Sequence, residues 1–401
     1  MIFASATVLL AASVVAPPVE SGLDVLRNNG FVELKGKNIG LITNPTGVDR
    51  TLKSNIDLMV GAGVKLVALY GPEHGVRGSV PAGVYVENGR DPKTGVPEFS
   101  LYGKTRKPTA EMLRGVDALV FDIQDIGSRS YTYISTLGVC MEAAAENNLP
   151  LYVLDRPNPI GGDRVEGNIT EDGYKSFVSA YPLPYCHGLT IGEFARMANG
   201  EGWLRGKKCD LKVIPMKGWR RSMNWAETGL PWVLTSPHVP RSDSSAYYAA
   251  TGIFGELDSV SIGVGYTLPF ELAGAPGIGA EALASEMNRR GLAGVTFRPM
   301  TWTPFYAAFK GQSCGGVNIF FTDERKVELS RINFELMDAV RKLKPGFDFF
   351  QASTASMFDK VCGTGSVRAM FNSGQSASAI WQKWNAGAAG FRAKRAKYLL
   401  Y

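Results

Sequence analysis

The sequence is poor in the residues that mark the commonest chemistries. Only three histidines occur in 401 residues, His74, His187 and His238. None forms an HxH or HExxH pair, so no metal-hydrolase spacing is present. Five cysteines, none spaced as CxxC, exclude a disulfide framework and a thioredoxin-type motif. Cys186, beside His187, and Cys314 read as buried, inert thiols rather than nucleophiles. No GxGxxG follows the first predicted strand. Gly103-Lys104-Thr105 is no Walker loop, because Glu98 stands where the upstream glycine is required. No GxSxG is present, so a serine-hydrolase elbow is absent too. Neither sign of charge dominates: 43 Lys plus Arg face 37 Asp plus Glu, a net +6 without a basic arm or patch. That balance does not point to nucleic acid, and it suits an anionic small molecule or glycan.

Apolar residues make up 45% and charged residues 20% of the chain, with 46 Gly and 22 Pro. This is the profile of a folded protein of two or three domains, not of a disordered or fibrous one. The one long apolar run, residues 2–16, is too short to span a bilayer. It reads as the core of a secretory signal with Val14-Val15-Ala16 as the cleavage site, which predicts a leader over 1–21 and a secreted or periplasmic protein with no membrane span.

From residue 22 to about 230 the pattern predicts a doubly wound α/β domain. Strands are predicted at 39–43, 65–70, 117–121 and 150–154, separated by helices at 51–62, 108–114 and 131–147. A Gly/Pro-rich loop region follows at 156–188. The next helix, 190–199, starts on a capping box formed by Thr190 and Glu193. Residues 231–401 predict a smaller α+β domain with helices at 279–290 and 326–343 and a strand near 295–299. The final stretch reads as a terminal helix or strand docked by its Tyr and Leu residues.

In an open parallel sheet, ligands bind at the carboxyl ends of the strands. Three consecutive strand ends here carry Glu73, Asp122, Asp125 and Asp155 together with Arg77, Arg129 and Arg156. Paired carboxyl groups suit glycoside hydrolysis, where one protonates the leaving oxygen and the other acts as base or nucleophile. Asp122 and Asp155 equally suit helix capping and pairing with Arg129 and Arg156. Glu73, between Pro72 and His74 in a Gly-flanked loop, has no helix to serve. In the second domain Glu256, Asp258 and the Gly-rich stretch 261–267 could approach a polar ligand closely.

The motifs carrying Glu73 in Gly71-Pro-Glu-His-Gly75, the run Asp122–Tyr133, Asp155–Pro159, His187–Glu193, Ser236-Pro237 and Lys397–Tyr401 occur in order over nearly the whole chain. In these the sequence resembles a bacterial family of exo-acting β-N-acetylmuramidases of peptidoglycan turnover, once catalogued as a domain of unknown function. The resemblance implies a Rossmann-like N-terminal domain, a smaller C-terminal domain, and an active-site cleft between them. It places the family's glutamate on Glu73, its strand-end acid and arginine on Asp125 and Arg129, and its loop histidine on His187. Cys186 stands where the family usually has a basic residue, and Val264 where it commonly has Arg.

Together the motifs and the resemblance imply hydrolysis of terminal β-linked N-acetylmuramic acid without a cofactor or metal. Glu73 is expected as acid or acid/base, oriented by His74, with Asp125 or Asp122 as partner. Arg77 and Arg129 are expected to hold the lactyl carboxylate. Gln124, Tyr131, Asp155, Arg156, Asn158, His187, His238 and Glu256 complete the expected substrate contacts. A non-catalytic muropeptide-binding protein is the alternative, and a Rossmann-type NAD-using enzyme a more remote one.

Overall fold

The computed structural model describes residues 19–78 and 87–401. The apolar run 2–16 lies outside the described residues. Val19, Glu20 and Ser21, which the expected leader includes, belong to the folded body. Val19 donates its N–H to the Thr228 carbonyl at 2.9 Å, Glu20 bridges Lys217, and Ser21 caps the helix Gly22–Asn28.

Seven strands form the main sheet: β1 (Asn38–Thr43), β2 (Lys65–Gly71), β3 (Gly89–Arg90), β4 (Pro97–Ser100), β5 (Ala118–Asp122), β6 (Pro150–Leu154) and β7 (Asp210–Ile214). Their order is β3-β4-β2-β1-β5-β6-β7, parallel throughout except for β3. Alternate residues feed two cores. Ile42, Leu119, Phe121 and Val153 pack with Leu137, Met141 and Phe194 of the helices Tyr133–Glu146 and Ile191–Gly200. Leu41, Val120 and Tyr152 pack on the other face with Leu26, Ile56 and Met59. Burial on both faces is why these strands read as continuous apolar runs.

A second sheet, antiparallel and smaller, consists of β8 (Leu272–Ala275), β9 (Val295–Trp302) and β10 (Cys314–Phe321) in the order β8-β10-β9. The helices Ser244–Gly255, Ala280–Arg289 and Arg331–Leu343 pack with it. This core also takes in Ile126, Ile160, Tyr185 and Cys186 from the first unit. In return, Ala388 and Phe391 enter the core beneath the large sheet. The two halves are therefore interlocked rather than merely tethered.

Several elements depart from the sequence reading. Residues 110–115 form turns rather than a helix, closed by Leu113 N–H to Thr109 O at 3.1 Å and Val116 N–H to Leu113 O at 3.1 Å. The helix Ser244–Gly255 carried no amphipathic signal because almost all of its residues are buried. β7 is a half-exposed edge, and β8 and β10 are glycine-rich where Gly274 and Gly316 pair.

Candidate active site

The strand order reverses around β1, which has β2 on one side and β5 on the other. A crevice therefore opens beyond the carboxyl ends of these three strands. Glu73 enters it on a tight turn, in which Gly75 donates its N–H to the Pro72 carbonyl at 2.9 Å. His74 occupies the third position with φ of 76°, the left-handed geometry that a type II turn demands there and that glycine usually supplies. Gly71 is fixed by close approach, since a Cβ would lie 2.9 Å from the Val76 nitrogen.

Glu73 is half-buried and takes a hydrogen bond from the Tyr102 hydroxyl. Its charge also acts on Tyr131, Tyr133 and Tyr248. These three rings meet edge to face, with Tyr131 5.1 Å from Tyr133 and 5.7 Å from Tyr248. Tyr131 donates to Thr235 Oγ1 at 2.7 Å and Tyr133 to the Thr235 carbonyl at 2.6 Å. The hydroxyls of Tyr248 and Ser130 lie 2.9 Å apart. Burial first, and the neighbouring charges after it, raise all three phenols above their ordinary pKa, so they remain protonated. The polar links tie the strand-end loop of the first unit to Thr235 and Tyr248 beyond it.

The charge of Asp125, like that of Glu73, adds to the rise of the Tyr131 pKa. Asp125 Oδ2 accepts the Gly127 N–H at 2.8 Å, whereas its buried Oδ1 has no hydrogen-bond partner among the described residues. His187 Nδ1 accepts the Leu189 N–H at 3.1 Å, which puts the proton of a neutral ring on Nε2. That nitrogen is 3.8 Å from Asp125 Oδ2. His238 lies beside His74, and burial followed by that neighbour lowers its pKa. Glu256, just past the helix Ser244–Gly255, acts on Tyr248 and Tyr185. Burial, then Asp258, pushes its carboxyl up to about 7.

The structure gives the remaining expected residues other work. Asp122 is fully buried, accepting from Arg156 Nε at 2.6 Å and Asn55 Nδ2 at 2.8 Å. Arg156 also donates to the Val48 carbonyl. Arg129 is fully buried and donates to the carbonyls of Asn168, Leu183 and Val361, and burial lowers its pKa to about 10. Arg77 gives Nε and Nη2 to Asp91 at 2.8 and 2.6 Å. Of the pair expected to clamp a lactyl carboxylate, Arg129 is enclosed within the protein, whereas Arg77 is exposed and paired with Asp91.

Asp155, also fully buried, accepts from Thr190 Oγ1, Gly192 N–H and the Tyr401 hydroxyl, each at 2.8 Å. Asn158 donates to Leu189 O at 3.0 Å, and Gln124 Nε2 to the carbonyls of Asp125 and Pro157 at 2.7 Å. These bonds hold the loops in shape, and Gln124, with Arg156, also lines a cavity bounded by Thr46, Val48 and Trp225. Tyr102, Tyr133, Tyr248 and Thr235 were missed as site residues. Tyr133 stood within a quoted motif, whereas nothing local in sequence singles out Tyr102 or Tyr248.

Comparison with known proteins places the chain in a family. Residues 39–243 match the family model described as exo-β-N-acetylmuramidase NamZ, N-terminal, and residues 246–401 match its C-terminal counterpart. The chain belongs to the exo-β-N-acetylmuramidase NamZ family. It is 47% identical over 386 residues to the peptidoglycan β-N-acetylmuramidase NamZ of Bacillus subtilis (strain 168), covering 96% of this chain and 92% of that one. Two crystal structures of DUF1343 family proteins from Bacteroides fragilis NCTC 9343 share its fold. BF0371 is 49% identical with a TM-score of 0.90, and BF0379 is 33% identical with a TM-score of 0.78. Each alignment covers 96% of this chain and 99% of the other. The two matches together take in both interlocked units.

Proposed function

We propose that this protein is an exo-acting glycoside hydrolase that releases terminal β-linked N-acetylmuramic acid from peptidoglycan fragments. The observation that carries the reading is the placement of Glu73 and Asp125 just beyond β2 and β5, the two strands that flank β1, in a chain of the NamZ family. Glycoside hydrolysis needs a proton for the leaving oxygen and a negative group opposite the oxocarbenium-like transition state. Glu73, on its rigid turn, delivers the proton. Asp125, steadied by Gly127 through one oxygen and open at the other, faces the developing positive charge. Tyr131, Tyr133 and Tyr248, held as phenols, brace the strand-end loop against Thr235 and Ser130 behind the two carboxyl groups.

The apolar run 2–16 supports a secreted or periplasmic location, where such fragments are found. Among the described residues no helix is long and apolar enough to cross a membrane. The decisive test is hydrolysis of a chromogenic β-N-acetylmuramide without added cofactor by wild type and Glu73→Gln. Wild type is expected to turn over, and the variant to lose about a thousandfold in kcat while still binding muropeptide. Binding without turnover by wild type would make the protein a muropeptide receptor instead.

A further inference from the structure

The loop joining β9 to β10, residues 303–313, brings two large aromatic side chains to the surface. Phe305 is 64% and Tyr306 49% exposed, more than a packed ring requires. The loop is nevertheless firmly seated. Phe305 donates its N–H to the Gly265 carbonyl at 2.7 Å, and its ring stacks on Tyr266 at 5.4 Å. Gly265 has φ of 92°, and a Cβ there would lie 2.0 Å from the Tyr306 carbonyl oxygen. The Gly-rich stretch 261–267 thus serves as the seat of this loop.

Tyr306 in turn meets His238. Their rings stack with centroids 6.0 Å apart and an interplanar angle of 24°. The Tyr306 hydroxyl lies 3.0 Å from His238 Nε2. His238 stands three residues after Thr235, which receives the Tyr131 and Tyr133 hydroxyls, and donates its backbone N–H to Ser236 Oγ at 3.3 Å. One short segment therefore joins the tyrosines at the strand ends to a half-exposed aromatic face. Asp125, His74 and His187 lie buried, and Tyr306 stands open.

We propose that the Tyr306–His238 pair is the platform for the sugar that leaves, the pyranose on the reducing side of the cleaved bond. This rests on the hydrolase reading above. An exo-acting site encloses the terminal sugar and leaves the rest of the chain outside, so the enclosed end suits N-acetylmuramic acid and the open end its partner. A β-linked pyranose presents a face of C–H groups, which are drawn to the electron-rich face of a tyrosine ring while the hydroxyls stay in water. His238, kept neutral by its surroundings, suits an uncharged sugar such as N-acetylglucosamine.

The test compares kcat/KM for the disaccharide N-acetylmuramyl-β-1,4-N-acetylglucosamine with that for the methyl β-glycoside of N-acetylmuramic acid, which has no second sugar. In Tyr306→Ala the ratio of the two is expected to fall about tenfold, mainly through KM for the disaccharide. Tyr306→Phe, which keeps the ring and loses the hydroxyl, is expected to hold the ratio within about twofold. An unchanged ratio in Tyr306→Ala overturns the proposal. Should wild type cleave neither substrate, the hydrolase reading fails, and binding of the intact disaccharide decides the platform. A Kd about tenfold weaker in Tyr306→Ala then supports it, and an unchanged Kd overturns it.

Discussion

Nε2 of His187 stands 3.8 Å from Oδ2 of Asp125, and neither that nitrogen nor Asp125 Oδ1 has a hydrogen-bond partner among the described residues. Leaving two buried polar atoms unanswered costs stability, and such pairs collect where a ligand completes the bonding. Asp125→Asn keeps the size of the side chain and its acceptor for Gly127 while removing the charge. It should lower kcat about a hundredfold or more with little change in Tm. Steady-state kinetics and thermal melting of the same preparation check this. A variant with full kcat would remove Asp125 from the chemistry.

His74 holds a backbone conformation that glycine adopts without strain. His74→Gly should therefore lose activity with its imidazole, while relief of the backbone preference offsets part of the cost of emptying a buried position, so that Tm falls less than in His74→Ala. A fall in Tm as large as that of His74→Ala would show that His74 is held by its packing rather than against its backbone preference. Calorimetry and kcat measured together distinguish the two.

Arg129 ties β5's loop to Val361 of the second unit. Arg129→Met leaves three buried carbonyls without their donor and should cost about 2–4 kcal/mol of stability. Because the guanidinium is enclosed by protein, KM of the folded enzyme should move less than twofold. Urea unfolding and kinetics on the folded fraction read these separately. A large rise in KM with unchanged stability would restore Arg129 to the substrate site.

Glu256 titrates near 7 in the folded protein and lower when unfolded. Between those values the folded state retains a proton that the unfolded chain releases, so stability falls as pH rises. This contribution is complete below about 4.5, the unfolded value, and is lost as pH climbs through about 7. The difference in Tm between wild type and Glu256→Gln, measured from acid to neutral pH, should follow that course. A pH-independent difference would place the titration elsewhere.

Much of this arrangement was legible before any coordinates. Strands buried on both faces announce themselves as apolar runs, so β1, β2, β5 and β6 and the loops at their ends were readable. The capping box of Thr190 and Glu193 forms as its spacing implies. The roles of the charged residues were not readable. Arg129 and Arg156 follow strands in the same way, and only the packed fold shows that both donate inward. Tyr248 was invisible because it lies on a buried helix and acquires meaning from Ser130 and Tyr131, more than a hundred residues away.

Asp155, at the end of β6, receives the Tyr401 hydroxyl across 246 residues of chain. Translation at roughly 5–20 residues per second delays that contact by roughly 10–50 s. The early sheet is thus laid down long before its closing hydroxyl exists. Thr190 and Gly192, 35 and 37 residues beyond Asp155, are made far earlier and can reach it without Tyr401. The hydrogen-bond shell of Asp155 is therefore completed only once residue 401 has been made, and a substitution of Tyr401 acts on the end of β6 as directly as a mutation in that strand.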